Sequence, residues 1–192
     1  IITMRFYILT LALNLLVLPS YCQNFGEESV VTTLAEGAFS VHSADLDGDG
    51  DLDILSASLY DDRIAWYEND GLGQFGAQQT ISVNASGARF ITAADIDNDG
   101  DVDVLSASYG DDKVAWYEND GFGNFTEEEI TESADGAESI YCSDVDGDGD
   151  LDVLCAAGVD DTVSWYENNG EGLFINQIIT NNSCSIVLFW NV

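Results

Sequence analysis

The stretch "SADLDGDGDLDIL", residues 43–55, decides the fold of this chain. Five aspartates occupy every second position of its central nine residues: Asp45, Asp47, Asp49, Asp51 and Asp53. Like charges at this spacing repel one another, so the bare segment should resist any compact conformation. A folded form of this stretch therefore requires something positive among the carboxylates.

The acidic nonapeptide occurs three times. It returns as "DIDNDGDVD" at residues 95–103 and as "DVDGDGDLD" at residues 144–152, at offsets of 50 and 49 residues. Two further blocks keep the same step. A Gly-Ala pair precedes each loop, at 37–38, 87–88 and 136–137, and the letters "WYEN" follow it, at 66–69, 116–119 and 165–168. Because three sequence blocks recur at the same offsets in all three copies, the pattern indicates internal repeats.

Each repeat is predicted to form four short strands, because turn signals separate the apolar runs and no helical period is present. In the first repeat the strands are expected at 38–44, 53–58, 63–68 and 74–82. Four strands in every ~50 residues are typical of a propeller blade. We predict an all-β fold of β-propeller blades, each with four antiparallel strands, at about 37–83, 87–132 and 136–180. Three blades fall short of the usual minimum of about four, so a fragment of a larger propeller is expected.

The acidic loops have the donor pattern of a calcium site. Calcium accepts about six to eight oxygen ligands at about 2.3–2.6 Å. In D-x-D-x-D-G-x-x-D, we expect side chains from positions 1, 3, 5 and 9, a backbone carbonyl from position 7, and a glycine at position 6 for the turn. The predicted side-chain ligands are Asp45, Asp47, Asp49 and Asp53; Asp95, Asp97, Asp99 and Asp103; and Asp144, Asp146, Asp148 and Asp152. The predicted carbonyl ligands are Asp51, Asp101 and Asp150, giving about three calcium ions, one per repeat.

Three other interpretations of the loops fit the sequence less well. An EF-hand requires a glutamate at position 12 and flanking helices, whereas position 12 here is Ser56, Ser106 or Cys155 in a β-like run, which excludes it. Magnesium prefers fewer protein ligands and keeps its waters. Solvated turns without a metal are the remaining alternative, against which the three unbroken copies argue.

These motifs resemble the FG-GAP repeats of integrin α-subunit propellers and the related VCBS-type repeats of secreted bacterial proteins, from residue 25 to about 180. The likeness rests on the acidic loop, the Gly-Ala pair before it and the "WYEN(D/N)G" turn after it. It implies that each loop joins the first two strands of a blade and holds calcium, and that blades usually number seven. Such propellers serve adhesion, ligand binding and enzyme scaffolding, so the resemblance leaves the function open.

The start of the chain indicates an exported protein. Residues 4–22 have a basic start, 13 apolar residues and a cleavage site before residue 23, so 1–22 is predicted to be a signal peptide. The apolar run is too short for a membrane span, and residues 1–3 precede the first methionine. With 36 acidic residues against four Lys plus Arg, nucleic acid is not expected as a partner. We predict a secreted or cell-surface protein that binds calcium and an extracellular protein or glycan ligand.

No catalytic motif is evident, and we predict that the chain is not an enzyme. His42 is the only histidine and has no catalytic partners in register. The pairs 61–62, 111–112 and 160–161 are all Asp-Asp; they could mimic an acid/base dyad, but their recurrence in a turn favours a structural role. The alternatives are a non-catalytic propeller region of a larger secreted hydrolase and an array that only spaces or stiffens.

Three smaller features complete the predictions. Cys142 and Cys155 flank the third loop and are predicted to form a cross-strand disulfide, with two buried thiols as the alternative. At least one residue of each repeated Trp-Tyr pair is expected to pack between blades rather than stack on sugars. Residues 24–32 resemble the fourth strand of a repeat and are predicted to form an orphan strand, and 181–192 form a divergent tail.

Overall fold

The computed structural model of the protein describes residues 28–180, and its regular structure in that range consists of twelve β-strands. They form three sheets of four antiparallel strands, each in chain order, as predicted for propeller blades. Blade 1 contains β1 (Ala38–Ala44), β2 (Asp53–Ser58), β3 (Arg63–Tyr67) and β4 (Gln79–Ser82). Blade 2 contains β5 (Ala88–Ala94), β6 (Asp103–Ser108), β7 (Lys113–Asn119) and β8 (Phe125–Thr131). Blade 3 contains β9 (Ala137–Ser143), β10 (Asp152–Ala157), β11 (Thr162–Asn168) and β12 (Phe174–Thr180).

Successive blades stack face to face, and the first strands β1, β5 and β9 contact one another in turn. The second strand of the middle blade shows why its sequence is apolar on both faces. Neighbouring side chains of a strand point to opposite faces, and Val104 packs in the core between blades 1 and 2, whereas Leu105 packs in the core between blades 2 and 3. All six residues of β6 are buried as a result.

Each core between blades is built from equivalent residues. We call the side of a blade that packs on the following blade its rear face, and the side that packs on the preceding blade its front face. The first core joins rear residues Leu46, Leu55, Ile64 and Trp66 to front residues Ala88, Ile91, Val104 and Tyr117. The second core joins Ile96, Leu105, Val114 and Trp116 to Ala137, Ile140, Val153 and Tyr166. The predicted packing of the repeated aromatics between blades is confirmed for Trp66 and Trp116.

The Asp-Asp turns connect neighbouring blades. The second aspartate of each pair has a positive φ, 54° at Asp62 and 59° at Asp112, a conformation that aspartate tolerates better than most residues. Asp62 Oδ1 accepts the N–H of Gly87 at 2.8 Å, and Asp112 Oδ1 accepts that of Gly136 at 2.9 Å. Each turn therefore fixes the Gly-Ala pair that begins the next blade, a structural role as the sequence indicated.

The outermost strand of blade 1 is interrupted. β4 has four residues, whereas β8 and β12 have seven each. Trp66 pairs with Gln79, but its equivalent Trp116 pairs with Glu128, so blade 1 contains one additional residue before this point. Gly76 donates its N–H to the carbonyl of Glu68 at 2.8 Å, and Phe75 forms an isolated bridge with Asn69. The additional residue thus interrupts the pairing, and the first half of the predicted strand 74–82 does not form part of β4.

The predicted disulfide is wrong, because Cys142 and Cys155 are not bonded to each other. Ser143 pairs with Asp152, and this register places Cys142 opposite Val153 and Cys155 opposite Ile140. The two cysteines are therefore diagonal neighbours, for which a separation of about 7–8 Å is typical, too far for a disulfide. Burial raises the pKa of the Cys142 thiol to about 12.

The predicted orphan strand is not formed in residues 28–32. A fourth strand has to pair with the third strand of a blade, and β3, β7 and β11 are already paired with β4, β8 and β12. The predicted signal peptide 1–22, residues 23–27 and the tail 181–192 lie outside the described residues. Within 28–180, nothing helical has the length and apolar character to cross a membrane.

Candidate metal centres

Each acidic loop joins the first two strands of a blade, and the aspartate at position 1 organises its curl. In the first loop, Asp45 Oδ1 accepts the N–H of Gly48 at 2.9 Å and Asp45 Oδ2 accepts that of Gly50 at 3.0 Å. In the third loop, Asp144 receives the same two bonds from Gly147 and Gly149, at 2.7 and 3.2 Å. The backbone of the loop therefore wraps around the first carboxylate.

The aspartates at positions 3 and 5 each accept the N–H of the residue two positions further on, the bond typical of an Asx-turn. Asp49 Oδ1 accepts the N–H of Asp51 at 2.9 Å, and the distance at the equivalent Asp99 and Asp148 is also 2.9 Å. The weaker bonds at position 3 measure 3.1–3.3 Å, at Asp47, Asp97 and Asp146. These bonds hold the alternate side chains on the inner side of the turn.

The glycine at position 6 has the conformation that the sequence predicted. Its φ is 94° at Gly50, 99° at Gly100 and 105° at Gly149, a region that side chains with a Cβ rarely adopt. Position 4 also has a positive φ, and there the second loop carries Asn98 at 61°. Asparagine is among the residues best able to enter this region.

The aspartate at position 9 is completely buried and closes the loop. Asp103 Oδ2 accepts the N–H of Ile96 at 3.1 Å, and Asp103 Oδ1 accepts the N–H of Asn119 at 2.8 Å. Asp53 and Asp152 make the equivalent pairs of bonds. Burial raises the pKa of Asp103 to about 6 and also raises the pKa of Asp53. A nearby cation would favour the charged form of such a buried carboxylate.

Each loop brings three carboxylates together, with one oxygen from each lying within 4.8 Å of the others. The clusters are Asp45, Asp47 and Asp53 in blade 1; Asp95, Asp97 and Asp99 in blade 2; and Asp144, Asp146 and Asp148 in blade 3. Positions 1 and 3 belong to every cluster. The predicted ligand at position 5 is absent from the first cluster, and the one at position 9 is absent from the second and third.

The aspartate at position 7 is not in these clusters. The carboxylates of Asp51, Asp101 and Asp150 instead lie against the glycines of the turn after the third strand, Gly71, Gly121 and Gly170. Asp150 Oδ1 also accepts a bond from Asn98 Nδ2 of the preceding loop at 2.9 Å. The side chain at position 7 thus contacts the adjacent turn, and the use of its carbonyl as a ligand stays a prediction.

The donor set suits a hard cation such as calcium. Asp95 Oδ1 is buried and has no hydrogen-bond partner in the described part of the chain. The pKa of Asp97 is raised by burial, with the charges on Asp99 and Asp95 adding to it. The ion pairs found within residues 28–180 involve other carboxylates: Asp61, Asp111, Glu127 and Glu138. The residues present therefore fit a calcium ion, which would interact with charge that the protein leaves uncompensated.

Sequence reasoning missed the role of the asparagine in "WYEN". Asn119 Nδ2 donates to the carbonyl of Leu46, position 2 of the preceding loop, at 2.8 Å and to that of Val102 at 2.9 Å. Asn168 makes the same bridge to Ile96 and Leu151, at 2.8 and 3.0 Å. Each bridge ties the acidic loop of one blade to the loop of the next. The recurrence of this asparagine in all three repeats was the available signal.

Solved structures that this chain resembles in fold include a lectin from Agrocybe aegerita, described as recognising non-reducing terminal N-acetylglucosamine. Its chain matches with a TM-score of 0.54 and 23% identity, over 74% of this chain and 38% of the lectin. The V. cholerae biofilm matrix protein Bap1 matches with a TM-score of 0.43 and 28% identity, over 70% of this chain and 19% of Bap1. The chain thus spans well under half the length of these structures, and the lectin supports the fold alone.

A comparison with curated proteins finds no significant match. The model of the FG-GAP-like repeat matches three times, over residues 45–106, 95–155 and 144–190. Each match begins at the first aspartate of an acidic loop, and the first two matches end in the second strand of the following blade. Together the matches cover most of the sequence, and the chain therefore belongs to the FG-GAP-like repeat family.

Proposed function

We propose that this protein is a secreted, calcium-stabilised β-propeller module that binds an extracellular protein or glycan and has no catalytic activity of its own. The observation that supports the calcium part is the threefold recurrence of a loop in which three carboxylate oxygens lie within 4.8 Å of one another. Family membership supports the binding role, because such repeats are used as scaffolds for recognition. Partner binding is proposed at loops on one face of the propeller.

Calcium would act on folding. When bound, the ion supplies positive charge that offsets the repulsion among the loop carboxylates and adds its binding free energy to that of folding. Asp45, Asp95 and Asp144 curl the loops, and the buried Asp53, Asp103 and Asp152 attach them to the third strand of the same blade. Extracellular calcium modules bind in the range of about 10⁻⁴–10⁻³ M, so the sites would be filled outside cells.

Calcium titration of the purified protein tests this proposal, with calorimetry for the stoichiometry and circular dichroism for the fold. We expect about three calcium ions per chain. We also expect that the β-structure is lost in EDTA and is not restored by magnesium. Asp45→Asn, Asp95→Asn and Asp144→Asn should each remove about one ion, since each loses the carboxylate charge that organises one loop.

Glu132→Gln provides the matched control, because it removes one charge from an exposed residue outside the loops. It should leave the stoichiometry unchanged. A protein that is equally folded in EDTA, or that takes up no calcium, would mean that the loops are solvated turns. Screening the calcium-loaded protein against a glycan array, with an EDTA-treated sample beside it, then tests the glycan part of the proposal.

A further inference from the structure

The turn that follows the third strand of a blade differs in sequence at one position. It begins with "NDG" in blades 1 and 2 and with "NNG" in blade 3. Asn169 therefore occupies the position of Asp70 and Asp120, and with Gly170 it forms the single Asn-Gly dipeptide of the sequence. In such a pair the peptide nitrogen of the glycine can approach the asparagine side chain freely, because glycine has no Cβ.

The side-chain oxygen at this position accepts two backbone N–H groups in every blade. Asn169 Oδ1 accepts the N–H of Glu171 at 3.0 Å and that of Leu173 at 3.1 Å. The equivalent bonds measure 2.9 and 3.0 Å at Asp70, and 3.0 and 3.2 Å at Asp120. The turn is thus built around one side-chain oxygen, and it accommodates either an amide or a carboxylate.

For Asn169 these two donors have a chemical consequence. When a nucleophile adds to the Cγ of a side-chain amide, negative charge develops on Oδ1. Backbone N–H groups that point at such an oxygen from about 2.7–3.1 Å stabilise the charge, as in the oxyanion hole of an acyl-transfer enzyme. The N–H groups of Glu171 and Leu173 already lie at this distance, so the turn needs no rearrangement to provide this stabilisation.

The peptide nitrogen of Gly170 is the nucleophile next to this amide. Its N–H is donated to Asn168 Oδ1 at 3.2 Å, at the long end of the hydrogen-bond range, so the proton is weakly held. Asn169 is exposed, and solvent can therefore reach both the proton and the reacting carbon. Asn168 itself is buried, and its Nδ2 donates to two backbone carbonyls.

We propose that Asn169 is a site of spontaneous deamidation, promoted by the turn that holds it. The Gly170 nitrogen loses its proton to a solvent base and forms a bond to Asn169 Cγ, the Cγ–Nδ2 bond breaks, and ammonia leaves. Water then opens the resulting cyclic succinimide at either of its carbonyls, which gives aspartate or isoaspartate. The net reaction takes up water and releases ammonia, and a neutral amide becomes a negatively charged carboxylate.

The fold accepts the aspartate product, because Asp70 and Asp120 make the same two bonds in the equivalent turns. Deamidation to aspartate gives the third repeat the turn sequence of the first two. Isoaspartate differs, since it adds a carbon atom to the main chain beside Gly170. That glycine lies against the carboxylate of Asp150 in the third acidic loop, so the isoaspartate form should disturb this contact.

An aspartate in this turn resists the same cyclisation. Asn124 Nδ2 donates to both carboxylate oxygens of Asp120, at 3.2 and 3.0 Å. These bonds hold the pKa of Asp120 below its usual value, and a charged carboxylate is a poor target for a nucleophile. The amide of Asn169 carries no charge that would oppose the attack, which distinguishes blade 3.

Peptide mapping by mass spectrometry tests the proposal on the purified protein, kept folded in calcium-containing buffer at neutral and at mildly alkaline pH. Asn169 should lose its amide progressively, and faster at the higher pH, because the Gly170 nitrogen has to lose a proton. The other asparagines within 28–180 should keep theirs over the same time. Isoaspartate in the same peptide identifies the succinimide route, since direct hydrolysis gives aspartate alone. A parallel sample in urea should react no faster at Asn169, because unfolding removes the two N–H donors.

Two variants provide matched comparisons. Asp70→Asn places an Asn-Gly pair in the equivalent turn of blade 1, and residue 70 should then lose its amide as residue 169 does. Asn169→Asp mimics the product and should unfold at the same urea concentration as the freshly purified parent protein.

Retention of the Asn169 amide in the folded protein, while the urea sample is converted, would overturn the proposal. Equal loss at other asparagines within 28–180, or an Asp70→Asn protein that keeps its new amide, would do the same, because the turn would then have no special effect. An Asn169→Asp protein that unfolds at a lower urea concentration would show that the turn does not accept the product.

Discussion

Backbone conformation favours glycine at position 6 of the acidic loop. Gly100 has a φ of 99°, and a Cβ at this residue would contact nothing within 4 Å. The requirement is therefore conformational and does not arise from crowding. Gly123 is a different case, because it combines a φ of 72° with the ring of Trp66 packed against it.

Substituting alanine at these two glycines should separate the two effects. Gly100→Ala is expected to lower the free energy of unfolding by about 1–2 kcal/mol, the cost of placing an L-residue in the left-handed region. Gly123→Ala should cost about 1–3 kcal/mol more, since the Trp66 ring has to move. Urea unfolding in saturating calcium measures both values. Equal losses at the two sites would show that the Trp66 contact contributes little.

At the residue scale, the spacing of the aspartates was sufficient to predict which loops would gather carboxylates. It could not predict that Asp53, Asp103 and Asp152 would be completely buried, with both oxygens accepting backbone N–H groups. Those partners lie seven and sixteen residues away along the chain. Their position depends on how the loop folds back on the third strand, which no local pattern specifies.

At the scale of the elements, the asparagine bridge joins the acidic loops of successive blades. Asn119 is buried and satisfies two backbone carbonyls, one in each of two blades. Asn69 occupies the same place in blade 1 and satisfies one carbonyl in an exposed setting. The two residues form a matched pair within one molecule.

Asn119→Ala should lower the free energy of unfolding by about 2 kcal/mol or more, because a buried acceptor without a partner costs about 1–3 kcal/mol. Asn69→Ala should cost about 1 kcal/mol or less. Both variants are compared with the parent protein by chemical denaturation. If both substitutions cost the same, the bridge to the preceding blade does not stabilise the fold.

Most elements follow from the repeat pattern. The predicted strands 38–44 and 53–58 have the observed bounds, and the third was predicted one residue too long. The fourth was predicted as 74–82, but Gly76 and its bond to Glu68 interrupt it. The disulfide prediction failed because the two cysteines do not lie opposite each other in the register of β9 and β10. This register depends on which residues close the loop, and the composition of the flanking strands does not reveal it.

Charge acts on the molecule as a whole. The chain has a formal net charge of −32, and its three acidic loops follow one another along the stack of blades. Repulsion of this kind weakens as salt shortens the screening length, from about 10 Å at 0.1 M to about 3 Å at 1 M. Calcium at the proposed sites would remove much of the same repulsion locally. Salt and calcium should therefore act on overlapping contributions to the stability.

The thermal midpoint of the protein in EDTA should rise when sodium chloride is increased from about 0.1 M to about 1 M, whereas in saturating calcium the rise should be much smaller. Tetramethylammonium chloride at the same ionic strength serves as the control, because its cation is too bulky to enter a loop. An equal salt response with and without calcium would show that ion binding does not relieve the repulsion.

The interrupted outer strand of blade 1 has a practical consequence. This segment already contains one more residue than the equivalent segment of blade 2. The spacing of the acidic loop, the Asp-Asp turn and the tryptophan is nevertheless the same in the two blades. Adding a residue to an inner strand would reverse the orientation of every side chain beyond it. The segment around Gly76 is thus the natural place to graft a peptide tag or a second binding loop without changing the phase of the blade.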